Sequence, residues 1–509
     1  MNRAAILMMV VLAGSISLPA QNTFVVHFDS IQNGNPGQPS SVIELDDGGF
    51  LLSGIQDSHD TTGQLHVFLR RTDTWGIVIS EREIHENDPR VFNSAGLGSM
   101  VRDDSLFVVG VTRYAPSSYE CSLLLYKYNE DGDTLSTHEL LHYSPQDSVF
   151  IQHLRTILVS SGGYLLIGGY EDIDNSAQIL LVRVTQNGDT MWTKQLGDQY
   201  SDVGYSICEL QDGGFALSAI HSGGGPSNDH TLIRTDSLGN QLWRRQFGEL
   251  GSGIPSVRMT PDGNILTFTG HKESVQPSAW SEVELRKWNL NGVTIWSKFS
   301  HRTINSDTWP RDFEVLDDGS IITSISYGRT AMIAKFDANG DSLWSHYYHV
   351  FNEANNYNQA IVNDIDQTSD GGFVMCGWKI QDQGDPTDGL QTWFLIKTDS
   401  LGCGAPGCQT LGVNEFVIGL QEHLKIFPNP VETGHTVTVE LAPPGGADLG
   451  PVELVVQDVM GREVRRENMV RTEGVSTFSF PVSAFSPGPY LLHLVSEGKW
   501  LAGGKLLVE

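Results

Sequence analysis

Residues 211–248 read QDGGFALSAIHSGGGPSNDHTLIRTDSLGNQLWRRQFG. An acidic-glycine turn, Asp212-Gly213-Gly214, opens the stretch, and Phe215 starts a short apolar run. A loop follows, then a second alternating run. Another glycine turn comes at Gly239-Asn240, with Trp243 four residues after that glycine. Counting the run before the first turn, the unit holds four short segments of strand character: Val203–Leu210, Gly214–Ile220, Thr231–Asp236 and Gln241–Phe247. Short runs separated by glycine turns predict antiparallel hairpins.

The same plan recurs along the chain. The first turn appears at Asp47-Gly48-Gly49, Asp103-Asp104-Ser105, Ser161-Gly162-Gly163, Asp212-Gly213-Gly214, Asp262-Gly263-Asn264, Asp318-Gly319-Ser320 and Asp370-Gly371-Gly372. The steps between first positions are 56, 58, 51, 50, 56 and 52 residues. The second turn follows each copy, at Gly76, Gly132, Gly188, Gly239, Gly292, Gly340 and Gly402. Trp192, Trp243, Trp296 and Trp344 each stand four residues after their glycine. A single four-stranded sheet leaves both faces partly bare, whereas seven set around an axis cover one another. The expected fold is all-β: a seven-bladed β-propeller over residues 21–408, a linker over 409–423, and a small C-terminal β-sandwich over 424–509. A β-solenoid is the rival, but its coils have a shorter and more regular period.

The seventh copy lacks its fourth run, ending at Trp393–Thr398 and Leu401-Gly402-Cys403. At the other end, Thr23–Phe28 (TFVVHF) is a strand without a unit. Pairing the two removes an open edge, so Thr23–Phe28 is expected as the outermost strand of the last blade. Loops between the second and third runs differ in length: Asp57–Gln64, Arg113–Glu120, Ser222–Asp229 and Gln381–Gln391 are long, Tyr327–Arg329 short. The face carrying them is the expected binding face for a glycan or protein ligand. Tyr114, Tyr119, Trp280, Trp309 and Tyr357 are placed on or near it, with packing under a loop as their expected role.

The 509 residues carry a formal net charge of −29, nearly all of it in 21–423. Such a body repels phosphate backbones, which excludes nucleic acid as a partner. Residues 1–20 read as a signal peptide, with Arg3, the apolar run Ile6–Ala13 and the small-residue exit Leu18-Pro19-Ala20. Export fits a local disulfide between Cys403 and Cys408 in GCGAPGC. Free thiols there are the alternative. Cys121, Cys208 and Cys376 lie in strand-like runs and read as small apolar fillers.

Chemistry is harder to find. A structural Ca²⁺ is conceivable at Asp337-x-Asn339-Gly340-Asp341, but no bidentate Glu follows, and a hairpin turn is expected. The acid pairs Asp46-Asp47, Asp103-Asp104 and Asp317-Asp318 fall in repeated turns. His221 and His230 flank one variable loop. Arg155, Arg258 and Arg311 stand near first-strand positions, and an arginine trio there would suit a sialidase-like site, though surface or salt-bridged arginines are the plainer reading. No Gly-x-Ser-x-Gly elbow, His-Glu-x-x-His or phosphate loop occurs. Catalytic, cofactor-binding and metal residues are therefore left unassigned. The expectation is a monomeric binding or adhesion module. The alternatives are a polysaccharide hydrolase or lyase at the central mouth, and a scaffold with no small ligand.

From Leu424 a new pattern begins, with Phe427-Pro428-Asn429-Pro430, then Asp458 with Gly461-Arg462-Glu463-Val464, a Pro-Gly-x-Tyr run at Pro487–Tyr490 and a final strand after Lys505. This stretch resembles the C-terminal sorting domain of proteins exported by the type IX secretion system. Family members often finish on a basic residue, whereas this chain ends on Glu509. The resemblance implies type IX machinery as a partner through residues 424–509 and a secreted or outer-membrane-surface destination. Phe336–Trp344 is also similar to the blade motif of quinoprotein-like repeats and to the Asp-box of sialidases. Both likenesses concern blade stability, with Trp docked on a neighbouring blade.

Overall fold

The computed structural model describes residues 23–509, save for 29–37, 58–64, 85–91, 95–99, 116–119, 145–146, 148, 172–175, 224–228, 249–250, 273–279, 305–307, 328–329, 351–358, 382–389 and 406–407. The described chain is all-β apart from single turns of helix.

Its first 400 residues build antiparallel sheets in chain order, each starting with the strand that ends at an acidic-glycine turn. Sheet one holds Gln38–Glu44, Phe50–Asp57, Leu65–Thr72 and Val78–Ile84. In sheet two, Phe92–Ser94 and Met100–Asp103 share one partner, Leu106–Ala115, which leads to Glu120–Tyr128 and Thr134–Tyr143. Sheet three runs from Phe150–Leu158 to Thr190–Leu196, sheet four from Ser201–Glu209 to Gln241–Phe247, and sheet five from Gly251–Met259 to Thr294–Ile304. Sheet six begins with Thr308–Val315 and its fourth strand is Ser342–Val350. Sheet seven has three strands of its own, Gln359–Gln367, Phe373–Gln381 and Leu390–Thr398. Its fourth is Phe24–His27, antiparallel to Leu390–Thr398 with Phe24 opposite Lys397. The orphan strand therefore sits where the sequence places it, at the outer edge of the last sheet.

Middle strands are buried on both faces, as in Tyr164–Glu171, because each sheet packs on the next. Leu165, Ile167 and Leu181 of sheet three meet Ile207, Phe215 and Leu217 of sheet four. The same occurs between the chain's two ends, where Val374, Cys376 and Leu395 of sheet seven meet Val42, Phe50 and Leu52 of sheet one. Each such aliphatic side chain, fully covered, contributes about 1.5–3 kcal/mol. Outer strands have one wet face, so Gln241–Phe247 shows polar residues outward.

Two repeated turns hold the hairpins. In the second, the Asp236 carboxylate accepts the N–H groups of Leu238 and Asn240, and the Gly239 N–H donates to the Asp236 carbonyl. Asp73, Asn129, Asn289, Asp337 and Asp399 repeat this arrangement. The Asp337 carboxylate considered for Ca²⁺ is thus engaged by the Asn339 and Asp341 N–H groups at 2.9 Å each. The glycine matters twice. Gly340 has φ +79°, and a Cβ there would stand 2.8 Å from the Trp296 ring of the preceding sheet. Gly239 lies in the same way under Trp192, and Gly402 under Trp344. At Gly76 the ring is Phe24, so the closing strand supplies the contact that an outer strand supplies elsewhere.

After sheet seven, Cys403 and Cys408 form a disulfide with Cα atoms 5.8 Å apart. The stretch read as a linker carries a strand, Glu415–Ile418, parallel both to Ser342–Val350 of sheet six and to Lys499–Val508 at the C-terminus. Sheet six thereby continues through Lys499–Val508, Gly488–Ser496 and Glu453–Asp458 to Glu463–Asn468. Phe416 stacks on Tyr348 at 5.1 Å and meets Trp500 at 6.2 Å. A separate sheet of Leu424–Phe427, Thr436–Leu441, Val475–Pro481 and Val470–Thr472 shares a core with the extension. Val437, Val439 and Phe480 pack there with Leu454, Leu492 and Leu494. The hairpin at Asp458 uses the same turn as the repeats, its carboxylate accepting the N–H groups of Met460 and Arg462.

Candidate functional site

The C-terminal ends of the seven first strands enclose a cavity of about 600 Å³. Glu44, Arg102, Arg155, Glu209, Arg258, Glu314, Asp364 and Asp366 give it its polar lining. Residues two apart on a strand share a face, which is why Asp312 and Glu314, like Asp364 and Asp366, point the same way. Every one stands close to a short first turn. The cavity therefore lies at the short-turn end, away from the loops joining second and third strands. Most of those loops, with Tyr119 and Tyr357, fall outside the described residues.

At the centre of the cluster is Asp312, buried under the lining. Arg155 grips it with both guanidinium nitrogens, at 3.1 and 2.9 Å, and Arg258 donates to it at 2.8 Å. Arg258 also donates to Glu314 at 2.9 Å. Burial alone would raise the Asp312 carboxyl, but Arg155 and Arg258 outweigh it and hold the group down at about 2. Arg258 loses by burial and gains more from Asp312 and Glu314, so it stays firmly charged. Asp364 has no such arginine grip. It accepts the Val42 N–H at 2.8 Å, and burial followed by the nearby Asp312 charge pushes it well above the carboxylate range. Asp366 is half-exposed to the cavity, yet enclosed by its walls. Burial, then Glu314, pushes it up to about 7. The ring interior thus holds one firmly ionised acid, Asp312, and two, Asp364 and Asp366, that are pushed the other way.

Other glutamates on the lining tie neighbouring sheets together. Glu209 accepts from the Ser160 N–H and hydroxyl, and Glu44 does the same for Ser369.

Of the arginines singled out in the sequence, Arg155 and Arg258 come together on Asp312. Arg311 does not join them. Next to Asp312 on an alternating strand, it faces the other way, donates to Ser326 Oγ at 3.3 Å and lies over Trp309. Burial pushes it down to about 10. His221 and His230 part company too. His221 Nδ1 lies 3.0 Å from Asp202, and Arg244 donates to both Asp202 oxygens, at 3.0 and 2.6 Å. Asp198, Asp202 and His221 are close enough to share an ion, but the Arg244 guanidinium already stands among them. His230 is buried against Phe247 and pushed down to about 4. Trp280 is covered by Arg302 at 4.1 Å, and Tyr114 packs on Phe150 at 5.6 Å. The paired acids serve turns: Asp47 accepts the Gly49 N–H and Asp318 the Ser320 N–H. Asp103 accepts the Tyr164 hydroxyl. Cys121 and Cys376 are buried thiols, and burial pushes Cys208 up to about 12.

Sequence reasoning missed Asp312, Glu314, Asp364 and Asp366. Their signal was the i, i+2 spacing of acids just before the first turn of the last two units.

No curated protein matches the chain. Solved structures similar to it include an α-L-arabinanase of Penicillium chrysogenum complexed with arabinobiose, at 11% identity and TM-score 0.38, covering 64% of this chain and 96% of that one. A puromycin hydrolase gives 13% and 0.42, covering 84% and 62%. The β-propeller domain of the Trilobed protease from Pyrococcus furiosus gives 10% and 0.40, covering 74% and 95%. Residues 425–509 match the family model of the secretion system C-terminal sorting domain. These residues are a sorting domain of the type IX secretion system, and they mark the chain for export to the cell surface or beyond by that machinery.

Proposed function

We propose that an exported seven-bladed β-propeller, residues 21–408, acts outside the cell as a monomeric binding or adhesion module for a glycan or protein ligand. Residues 1–20 are its signal peptide, 409–423 connect it to the tail, and 424–509 fold as a small β-sandwich that delivers it. The blade count is supported by one sheet per sequence unit, by Phe24–His27 completing the last sheet, and by the packing of that sheet on the first.

One observation carries the binding reading over the enzymatic one. All three arginines of the central cavity are already engaged, Arg155 and Arg258 by Asp312 and Glu314, and Arg102 by the Asp46 carboxylate and the carbonyls of Glu44 and Asp104, so the cavity offers no uncommitted guanidinium to clamp a substrate carboxylate. A glycan array probed with the chain from residue 21, with and without Ca²⁺, tests it. Retention of one glycan class, with no release of reducing ends, is the expected outcome. An empty array together with no retention on outer-surface proteins would count against it.

A second reading is a polysaccharide hydrolase or lyase at the central mouth. It is favoured by Asp366, pushed up to about 7 where a general acid or base works best at neutral pH. On that reading Asp366→Asn abolishes turnover of the polysaccharide, and the wild-type rate breaks near pH 7. Turnover unchanged in the variant removes the reading.

A further inference from the structure

The central cavity holds more acid than base. Five carboxyl groups stand on its lining, Glu44, Glu209, Glu314, Asp364 and Asp366, and Asp312 lies beneath them. Against these six the cavity sets three arginines, Arg102, Arg155 and Arg258. Arg155 and Arg258 are drawn to Asp312 and Glu314, and Arg102 is shared with Asp46. Neither Asp364 nor Asp366 forms an ion pair with any described residue.

Asp364 is the more buried of these two, only 9% exposed. Its Oδ2 accepts the Val42 N–H at 2.8 Å, and that is the carboxyl's one hydrogen bond. Oδ1 has no partner among the described residues, yet it is not sealed off, and the carboxyl stands on the cavity wall. A buried carboxyl oxygen left open on a cavity wall calls for a donor from outside the chain. Asp366, two residues on, presents its carboxyl to the same space. Burial, with no cation on their oxygens to oppose it, pushes both acids up.

One metal ion does not fit this arrangement. Among the described residues, no three of these acids bring oxygens within 4.8 Å of one another. The charge to be matched is spread out, so the matching cation is long. The lining holds no aromatic ring, the group that grips a quaternary ammonium. Carboxylates instead favour N–H donors in charge-assisted hydrogen bonds. Leu158 and Gln367, both exposed, leave the rim open to solvent, and a cavity of about 600 Å³ has room for a small molecule.

We propose that the central cavity binds a linear aliphatic polyamine, with a terminal ammonium on Asp364 Oδ1 and Asp366 and its other amines among Glu44, Glu209 and Glu314. This site is separate from the loop-face ligand proposed above and stands whether or not that ligand is found.

The test titrates spermidine into the full chain by calorimetry, near neutral pH and at about 0.15 M salt, where exposed acids are screened. One spermidine per chain is expected, with butylamine at least about tenfold weaker because it carries a single charge. Asp364→Asn, which keeps an acceptor for the Val42 N–H, and Asp366→Asn should each weaken spermidine at least about tenfold. Asp189→Asn removes the same charge from an exposed turn and should leave the affinity unchanged. Asp366→Asn stays informative if Asp364→Asn fails to melt cooperatively. The proposal is overturned by any of four results: no binding at submillimolar spermidine, butylamine as tight as spermidine, undiminished binding in Asp366→Asn, or an equal loss in Asp189→Asn, the mark of a diffuse counter-ion cloud.

Discussion

Asp366 and Asp312 sit on neighbouring first strands and titrate in opposite directions. Asp312 has two arginines on its oxygens, and Asp366 has burial and Glu314. Asp366 binds its proton more tightly folded than unfolded. The folded chain therefore holds more protons between the ordinary carboxylate range and about 7, and stability falls as pH rises across that window. Asp366→Asn should lessen that fall, leaving the part due to Asp364, and raise stability at pH 8 by about 2 kcal/mol, read from urea unfolding at pH 5 and pH 8. Asp312 works the other way. Its contribution is present above its unfolded pKa and is lost as pH falls towards about 2. Asp312→Ala leaves Arg155 and Arg258 buried without their acid and should cost about 3–5 kcal/mol. Little of this was legible beforehand. Arg155 and Asp312 are 157 positions apart, and nothing local announces their meeting. Arg311 looked equivalent to its two fellows, and strand alternation turned it away from them.

At the scale of the hairpin and its neighbour, the second-turn glycine has two separable duties. Gly213, in a first turn, has φ +78°, and a Cβ there would meet only the Ser237 Cβ, at an unstrained 4.0 Å. Gly340, in a second turn, has nearly the same φ and the Trp296 ring at 2.8 Å. Gly213→Ala should therefore cost only backbone strain, about 1–2 kcal/mol. Gly340→Ala should cost about 1 kcal/mol or more beyond that, because a packed ring must shift. Equal losses in denaturant unfolding would mean that the ring over the glycine contributes nothing. These turns were readable because their chemistry is local: one side-chain oxygen, two nearby N–H groups and a glycine, spaced identically each time. The strand Glu415–Ile418 was not readable. Four residues between Asn414 and Gly419 are too short a run to tell a strand from a connector, and only the waiting edges of Ser342–Val350 and Lys499–Val508 make them a strand.

For the whole molecule, the decisive contact is Phe24–His27 on Leu390–Thr398. Val25 is buried there, among residues of sheets six and seven. Val25→Asp should cost about 3 kcal/mol or more, since it places a carboxylate in an apolar wall. It should also open both members of the closing pair, Phe24–His27 and Leu390–Thr398, to limited proteolysis while leaving the sorting domain intact. Protection of both strands in the variant would show that the closing strand is dispensable. This closure was legible from a missing fourth run at one end and a spare run at the other. The gathering of acids at the central cavity was not, since they come from strands remote in sequence. The closing pair also dictates an order of events. Lys397 lies more than 370 positions after Phe24, so a chain still emerging holds its opening strand unmated until nearly the last repeat is out. Contacts of such long range make for slow folding, and until they form the polypeptide stays unknotted, threadable and in need of a minder against clumping.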